Sequence, residues 1–318
     1  MRITVATFTA IFGLGLVACG SEPAGVAPLV VRDDPYAIRD AGPQEPPPSA
    51  PGASTPPGPP SPAAPPKGAI YLIDARTLYV FDPVGDTLDR VGKVTCPGFA
   101  DDDDLVDVAV DRDGTILATS FGPTDKLESY FFTMSPTTAQ CVKVATNPGM
   151  PTNGLTFVPR GILDSANDAL VGYSGESFVR FDPKTGQRTI LGLLNRSGAS
   201  ARYYVTGDLV VLPGGVAYAT GFRVGRPSTE PDQLLQIDPV TGGLVKVVGP
   251  LYGEHVTGLA TWGGKLFGVS RGSILEIDAP TAKTFPRRPK ASFEAGTISF
   301  VGAASTTAPP GSCTHPTS

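Results

Sequence analysis

Two histidines, His255 and His315, are all that this 318-residue chain offers for imidazole chemistry. Oxygen donors are more plentiful, and they recur ahead of or within a series of short apolar stretches. They are Asp104 and Asp107, Asn153, Thr206 and Asp208, His255 and Thr257, and Glu294. Gathered around one axis, carboxylates with Asn and Thr oxygens would suit a hard cation such as Ca²⁺. Asp104, Asn153, Asp208, His255 and Glu294 are the candidate ligands. Such a metal would polarise an ester carbonyl or activate water. The same residues also read as solvated turn positions and strand side chains that satisfy backbone groups.

Other strings carry less chemistry. Gly268-Val-Ser-Arg-Gly272 matches G-x-S-x-G, but a nucleophile elbow needs a helix after the serine and no helical pattern follows. Asp111-Arg-Asp-Gly114 resembles a fragment of a calcium loop, yet it lies between two strand-like runs and reads as a hairpin turn. Asp101 to Asp104 form an acidic run, the usual composition of a solvated loop. Trp262, Tyr203, Tyr204 and Tyr252 are the aromatic candidates for stacking on a sugar or peptide, with core and loop packing as the alternative. A phosphate-cradling glycine loop and a CxxC pair are both missing from the sequence.

The elements that would position these residues show up as a repeat. Leu78-Tyr-Val-Phe-Asp-Pro-Val-Gly-Asp86 returns at Tyr130 to Thr138, at Phe178 to Gly186 and at Leu234 to Gly242, with a worn copy at Ile274 to Ala282. Its anchors Asp82, Ser135, Asp182, Asp238 and Asp278 are 53, 47, 56 and 40 residues apart. Each phrase is an alternating strand running into a turn that Asp or Ser starts, Pro stiffens and Gly completes. A second strand follows each phrase and a hairpin precedes it. The hairpin is clearest at Val106 to Ala118, and sustained helical periodicity is missing from this region.

Four short strands per 40–56-residue unit is the signature of propeller blades. Unit one lacks its first strand, while Gly296 to Gly302 is a spare strand at the far end. The reading is therefore an all-β propeller of about five four-stranded blades, with the C-terminal strand closing blade one. A degenerate sixth blade and an open β-sandwich are the alternatives.

The N-terminus reads as an address. One arginine precedes an uncharged apolar run, Ile3 to Val17, too short to span a bilayer. It ends Leu16-Val17-Ala18-Cys19, which resembles the lipobox of bacterial lipoproteins. That resemblance implies cleavage before Cys19 and acylation of Cys19, which would anchor the chain in a membrane. Gly20 in place of Asp favours the outer membrane.

Residues 20–67 hold 15 of the 34 prolines among Gly, Ala and Ser, a composition that excludes helix and sheet and makes an extended tether. The domain reading is a signal peptide over 1–18, lipidated Cys19 and tether over 19–67, propeller over 68–303 and a polar tail over 304–318. His315 falls in that tail. The Asp-Pro-x-Thr-Gly repeats behind a lipobox and a Pro-rich tether resemble uncharacterised β-propeller lipoproteins of myxobacteria, a likeness of architecture alone. Propeller lactonases, similar in architecture, place Glu, Asn and Asp oxygens around a metal; none of their signature stretches is present here.

Besides Cys19 there are Cys96, Cys141 and Cys313, which suits an oxidising compartment. Cys96 with Cys141 is the favoured disulfide and Cys313 the rival partner. Strand polarity is the difficulty, since Cys96 follows its strand and Cys141 begins its own.

Lys and Arg number 25 against 30 Asp and Glu, a net charge of −5 without the basic face that nucleic-acid binding requires. Three functions fit. The leading one is a non-enzymatic binding or scaffold module that presents a channel mouth or blade rim to an envelope protein, peptide or glycan. The second is a metal-dependent lactonase- or esterase-like hydrolase at the channel mouth. The third is a purely structural envelope protein held to the membrane by its lipid.

Overall fold

The computed structural model describes residues 69–96, 99, 104–122, 128–149, 151–227, 229–252, 255–293 and 298–307. The lipobox, Cys19, the tether, Asp101 to Asp103, Glu294, Cys313 and His315 lie outside the described residues. Among those described there is no helix, and so none long and apolar enough to cross a membrane.

The chain forms five antiparallel blades in a ring. Blade one contains β1 (Ile70–Ile73), β2 (Thr77–Asp82) and β3 (Thr87–Lys93). Blade two is β4 (Leu105–Val110), β5 (Ile116–Phe121), β6 (Glu128–Met134) and β7 (Cys141–Pro148). Blade three is β8 (Asn153–Val158), β9 (Ala169–Ser174), β10 (Ser177–Phe181) and β11 (Arg188–Leu193). Blade four is β12 (Tyr203–Val211), β13 (Ala217–Arg223), β14 (Gln233–Ile237) and β15 (Leu244–Pro250). Blade five is β16 (Gly258–Trp262), β17 (Lys265–Ser270), β18 (Ser273–Asp278) and β19 (Lys283–Arg287). The chain then returns to blade one as β20 (Lys290–Ala291) and β21 (Gly302–Ser305), giving the order β20-β3-β2-β1-β21.

Closure by a C-terminal strand is as expected, but the strand runs later than its predicted span. Gly302 pairs with Ile73 and Ser305 with Ile70, so Ala304 and Ser305 belong to the propeller rather than to a tail beginning at 304. The reason is steric. At the closing strand the axis-facing position is crowded, since a Cβ at 302 would lie 3.0 Å from Asp107 Oδ1 and 3.2 Å from Ile73, and Gly302 fits there, whereas the alternation of 296–302 reports only strand propensity.

Burial follows position in the blade. Inner strands are covered on both faces by neighbouring blades, so β4 and β5 are almost wholly buried, while the outermost β7 and β15 bury only Cys141 between them. The apolar core is divided into clusters that each span two neighbours. Tyr71, Ile73, Val108 and Phe132 join blades one and two; Phe131, Leu155 and Phe181 join two and three. The clusters of Phe178 with Leu209 and of Leu234 with Leu259 continue the ring. Phe81, Phe267 and Phe300 close it between blades five and one.

The repeated turns lock the blades together. In Asp238-Pro-Val-Thr-Gly242, the Asp238 carboxylate accepts N–H bonds from Val240 and Thr241, while Gly242 N–H donates to the Asp238 carbonyl. The residue four after the anchor has positive φ in every blade: Asp86, Ala139, Gly186, Gly242 and Ala282. Glycine is required at 242 because a Cβ there would lie 2.2 Å from Phe178 Cβ of blade three. Tyr173 of the same blade donates its hydroxyl to the Gly242 carbonyl. Ala139 and Ala282 are left-handed too, and each is fully buried.

Cys96 and Cys141 form a disulfide, with Cα atoms 4.7 Å apart. The polarity difficulty dissolves because the chain leaving β3 crosses to blade two. Thr95 N–H donates to the Ala139 carbonyl and Cys141 N–H to the Thr95 carbonyl, bringing the end of one outer strand to the start of the next.

Candidate functional site

The propeller axis is closed by its own backbone and two carboxylates. One position recurs on all five innermost strands, occupied by Asp107, Gly154, Asp208, Gly258 and Gly302. Asp107 accepts N–H bonds from Val108 (2.8 Å) and from Leu155 of blade three (2.7 Å). Asp208 accepts from Leu209 (2.6 Å) and from Leu259 of blade five (3.0 Å), and Ala303 N–H of blade one also faces it. The amides one residue beyond the shared position thus all serve two side chains. There is no room for more: a Cβ on Gly258 would sit 2.5 Å from Ala303 N, and one on Gly302 3.0 Å from Asp107 Oδ1.

Both carboxyls are fully buried, and burial pushes them well above the usual carboxylate range. Asp208 is raised further by the charge of Asp107.

This arrangement decides where the oxygen donors of the sequence go. Asp104, Asn153 and His255 stand at the entry ends of the innermost strands of blades two, three and five, but they do not converge. Asp104 pairs loosely with Arg76 at 3.8 Å. His255 Nδ1 lies 3.2 Å from Asp232 Oδ2, and Asp232, 2% exposed, is clamped by Arg226 at 2.6 Å. Asp208 is turned into the amides rather than toward the channel mouth. Thr257 donates to the Phe300 carbonyl (2.9 Å), and Thr206 Oγ1 is buried without a hydrogen-bond partner. Among the described residues no three His, Cys, Asp or Glu side chains come together as a metal cluster.

The remaining motifs are accounted for locally. Asp111 accepts N–H bonds from Asp113 and Thr115, the hairpin turn expected of it. Ser270 of the G-x-S-x-G string is buried at the end of β17, beside a two-residue turn to β18 rather than a helix. Trp262 packs against the core between blades five and one. Tyr252 is exposed, and Tyr204 leans on Phe222 with ring centroids 5.9 Å apart.

A larger concavity lies elsewhere, between blades two and three on the face opposite the strand entries. It is a cleft of about 1000 Å³ with Arg112, Arg160, Arg180 and Lys184 around a floor that includes Phe157 and Phe181. Its carboxylates are mostly committed to their own loops. Asp168 takes Arg160 N–H and Arg112 (3.1 Å), and Asp182 takes Lys184 and Thr185 N–H. Just behind the cleft, Asp164 holds Arg180 at 2.7 Å. The Asn167 N–H first, then Arg180 and Ala166 N–H, draw its carboxyl down to about 2. Arg160 and Lys184 form no ion pair with any described residue. Sequence reasoning missed this cleft because its residues come from three separate turns, and only the loop-rich stretch 159–168 between β8 and β9 hinted at it.

No family model matches the chain, and no curated protein does. Solved structures do. One is a protein of unknown function from Bacteroides caccae, 11% identical, covering 74% of this chain and 77% of that one at a TM-score of 0.40. A calcium-binding protein, regucalcin, from Agrobacterium tumefaciens is 14% identical over 65% of this chain and 66% of its own, at 0.40. An oligogalacturonate lyase in complex with manganese is 10% identical over 72% and 64%, at 0.37. Likenesses this distant carry no argument about activity.

Proposed function

We propose that the protein is an exported, lipid-anchored propeller that binds a component of the cell envelope without transforming it. The anchor rests on Leu16-Val17-Ala18-Cys19 and on the proline-rich stretch behind it, which would hold the propeller away from an outer-membrane surface. The observation that carries the binding role is the cleft between blades two and three. Its size suits a peptide or oligosaccharide segment. Arg112 and Arg180 are fixed in place by Asp168 and Asp164, while Arg160 and Lys184 form no salt bridge with a described residue. Fixed guanidinium groups that need no ordering on contact favour an acidic or hydroxyl-rich partner.

Two measurements test this reading in the full chain. Cys19→Ser should move the protein from the membrane fraction to the soluble one and remove labelled palmitate; retention would end the anchor assignment. A photo-crosslinking residue at Asn167 in the cleft should trap an envelope component that one at Asp89, on the outer strand of blade one, does not. Arg160→Glu with Lys184→Glu should abolish that product, and an undiminished product would place the ligand elsewhere.

A further inference from the structure

The closing strand does not end the course of the chain over the blades. After Ser305, the last residue of β21, Thr306 forms a parallel bridge with Val110 of blade two and donates its hydroxyl to the Asp111 carbonyl at 2.9 Å. Thr307 goes one step further and donates its hydroxyl to Asp168 Oδ2 of blade three. These two residues carry the chain from blade one across blade two. Asp111 and Asp168, which hold them, both line the cleft between blades two and three. The segment that follows, Ala308 to Ser318, therefore starts at the lip of that cleft.

The chemistry of that segment complements the cleft. It holds no Asp, Glu, Lys or Arg, and Pro309, Pro310 and Pro316 have carbonyls but no N–H. A Pro-Pro pair favours extended chain without internal hydrogen bonds, which leaves its carbonyls open as acceptors. The cleft supplies donors. Arg160 and Lys184 are exposed and form no salt bridge with a described residue, and cationic side chains can only donate. Asn167 and Gln187 are exposed beside them. Lining carboxylates that would compete for those donors are already engaged. Asp111 takes Asp113 and Thr115 N–H, and Asp182 takes Lys184 and Thr185 N–H. Asp168 takes Arg112, Arg160 N–H and Thr307, while Asp113 is exposed at the rim.

We propose that residues 308–318 dock in the cleft of their own chain, as a strap whose carbonyls accept from Arg160 and Lys184. Attachment at Thr307 makes the contact intramolecular, so that effective concentrations reach the millimolar range and weak hydrogen bonds suffice. The strap has eleven residues. At about 3.1 Å per residue when extended, it is long enough to cross the cleft. The docking is independent of the binding role proposed above. Its consequence, that the strap and an envelope component compete for one cleft, rests on that role.

The test uses the full chain carrying Cys19→Ser, in which Cys313 is the one cysteine outside the Cys96–Cys141 bridge. Benzophenone maleimide on Cys313 should cross-link within one chain to peptides from 159–168 and 182–189. Arg160→Ala with Lys184→Ala should lower that yield about fivefold or more at unchanged Tm, because two charged donors are lost. Lys246→Ala, on the outer strand of blade four, should leave it unaltered. Cross-links scattered over other blades, links between two chains, or a yield indifferent to the double variant overturn the proposal. The competition has its own readout. Removing 308–318 should raise the Asn167 cross-link to the envelope component about fivefold or more, and an unchanged yield overturns the competition. No envelope product with or without the strap would count against the binding role alone, since the Cys313 cross-links decide the docking.

Discussion

Asp107 and Asp208 occupy the same position on the innermost strands of blades two and four, and each fastens the innermost strand of the next blade. Asp107 Oδ2 takes Leu155 N–H at 2.7 Å and Asp208 Oδ2 takes Leu259 N–H at 3.0 Å. In a five-bladed ring two such side chains reach every inner strand, because Ala303 N–H of the closing strand also faces Asp208. The pair is a bolt through the axis, made of groups whose pattern had suggested a metal site.

Removing either carboxylate strands buried backbone donors. Asp208→Ala leaves the N–H groups of Leu209 and Leu259 without an acceptor and should cost about 2–5 kcal/mol. Asp107→Ala should behave alike. Urea denaturation of each variant measures this, and a loss under about 1 kcal/mol would mean that the ring holds without its bolt.

The same pair sets a pH dependence. Both carboxyls are raised in the fold by burial, Asp208 also by Asp107, so the folded chain holds protons that the unfolded chain has released. Their contribution to stability is therefore fully present below the unfolded carboxyl pKa and is lost as pH rises through the folded values. Asp107→Asn removes one of the two titrating groups and the charge that raises Asp208 further, so the remaining decline should be shallower and should end at lower pH. Urea midpoints collected from about pH 4 to about pH 8 for both proteins give the comparison.

The Cys96–Cys141 bridge closes a loop of 45 residues and joins the outer edges of blades one and two. By loop entropy it should contribute about 4 kcal/mol. Reduction should lower Tm, and Cys96→Ser with Cys141→Ser should match the reduced protein. Equal melting of the oxidised and reduced forms would show the bridge to be energetically idle.

Gly242→Ala tests the turn that locks blade four onto blade three. The new methyl would enter the space of Phe178 and would also force a left-handed alanine, together worth about 2–4 kcal/mol. Lys246→Ala on the exposed edge of β15 should change stability by under about 0.5 kcal/mol. Calorimetry of the two variants side by side provides the check.

Much of the fold could be read before any coordinates because its determinants are local. An Asp-Pro-x-Thr-Gly turn depends on the φ of Pro, the side-chain acceptor of Asp and the left-handed Gly, all within five residues. Alternation and spacing then give the strands and about five blades, and a first strand missing from unit one with a spare strand at the far end implies closure. The pairing of Cys96 with Cys141 was within reach, but its geometry depended on a chain crossing between blades. The fate of Asp208 was not legible. A strand aspartate looks the same whether it faces a channel mouth or three backbone amides, and the amides come from residues up to 95 positions away in sequence, at Ala303. Nor could Arg160 and Lys184 be told from ordinary surface cations. Whether a charge is free or spent depends on which carboxylates the ring brings within about 4 Å, and only the closed tertiary structure sets those distances.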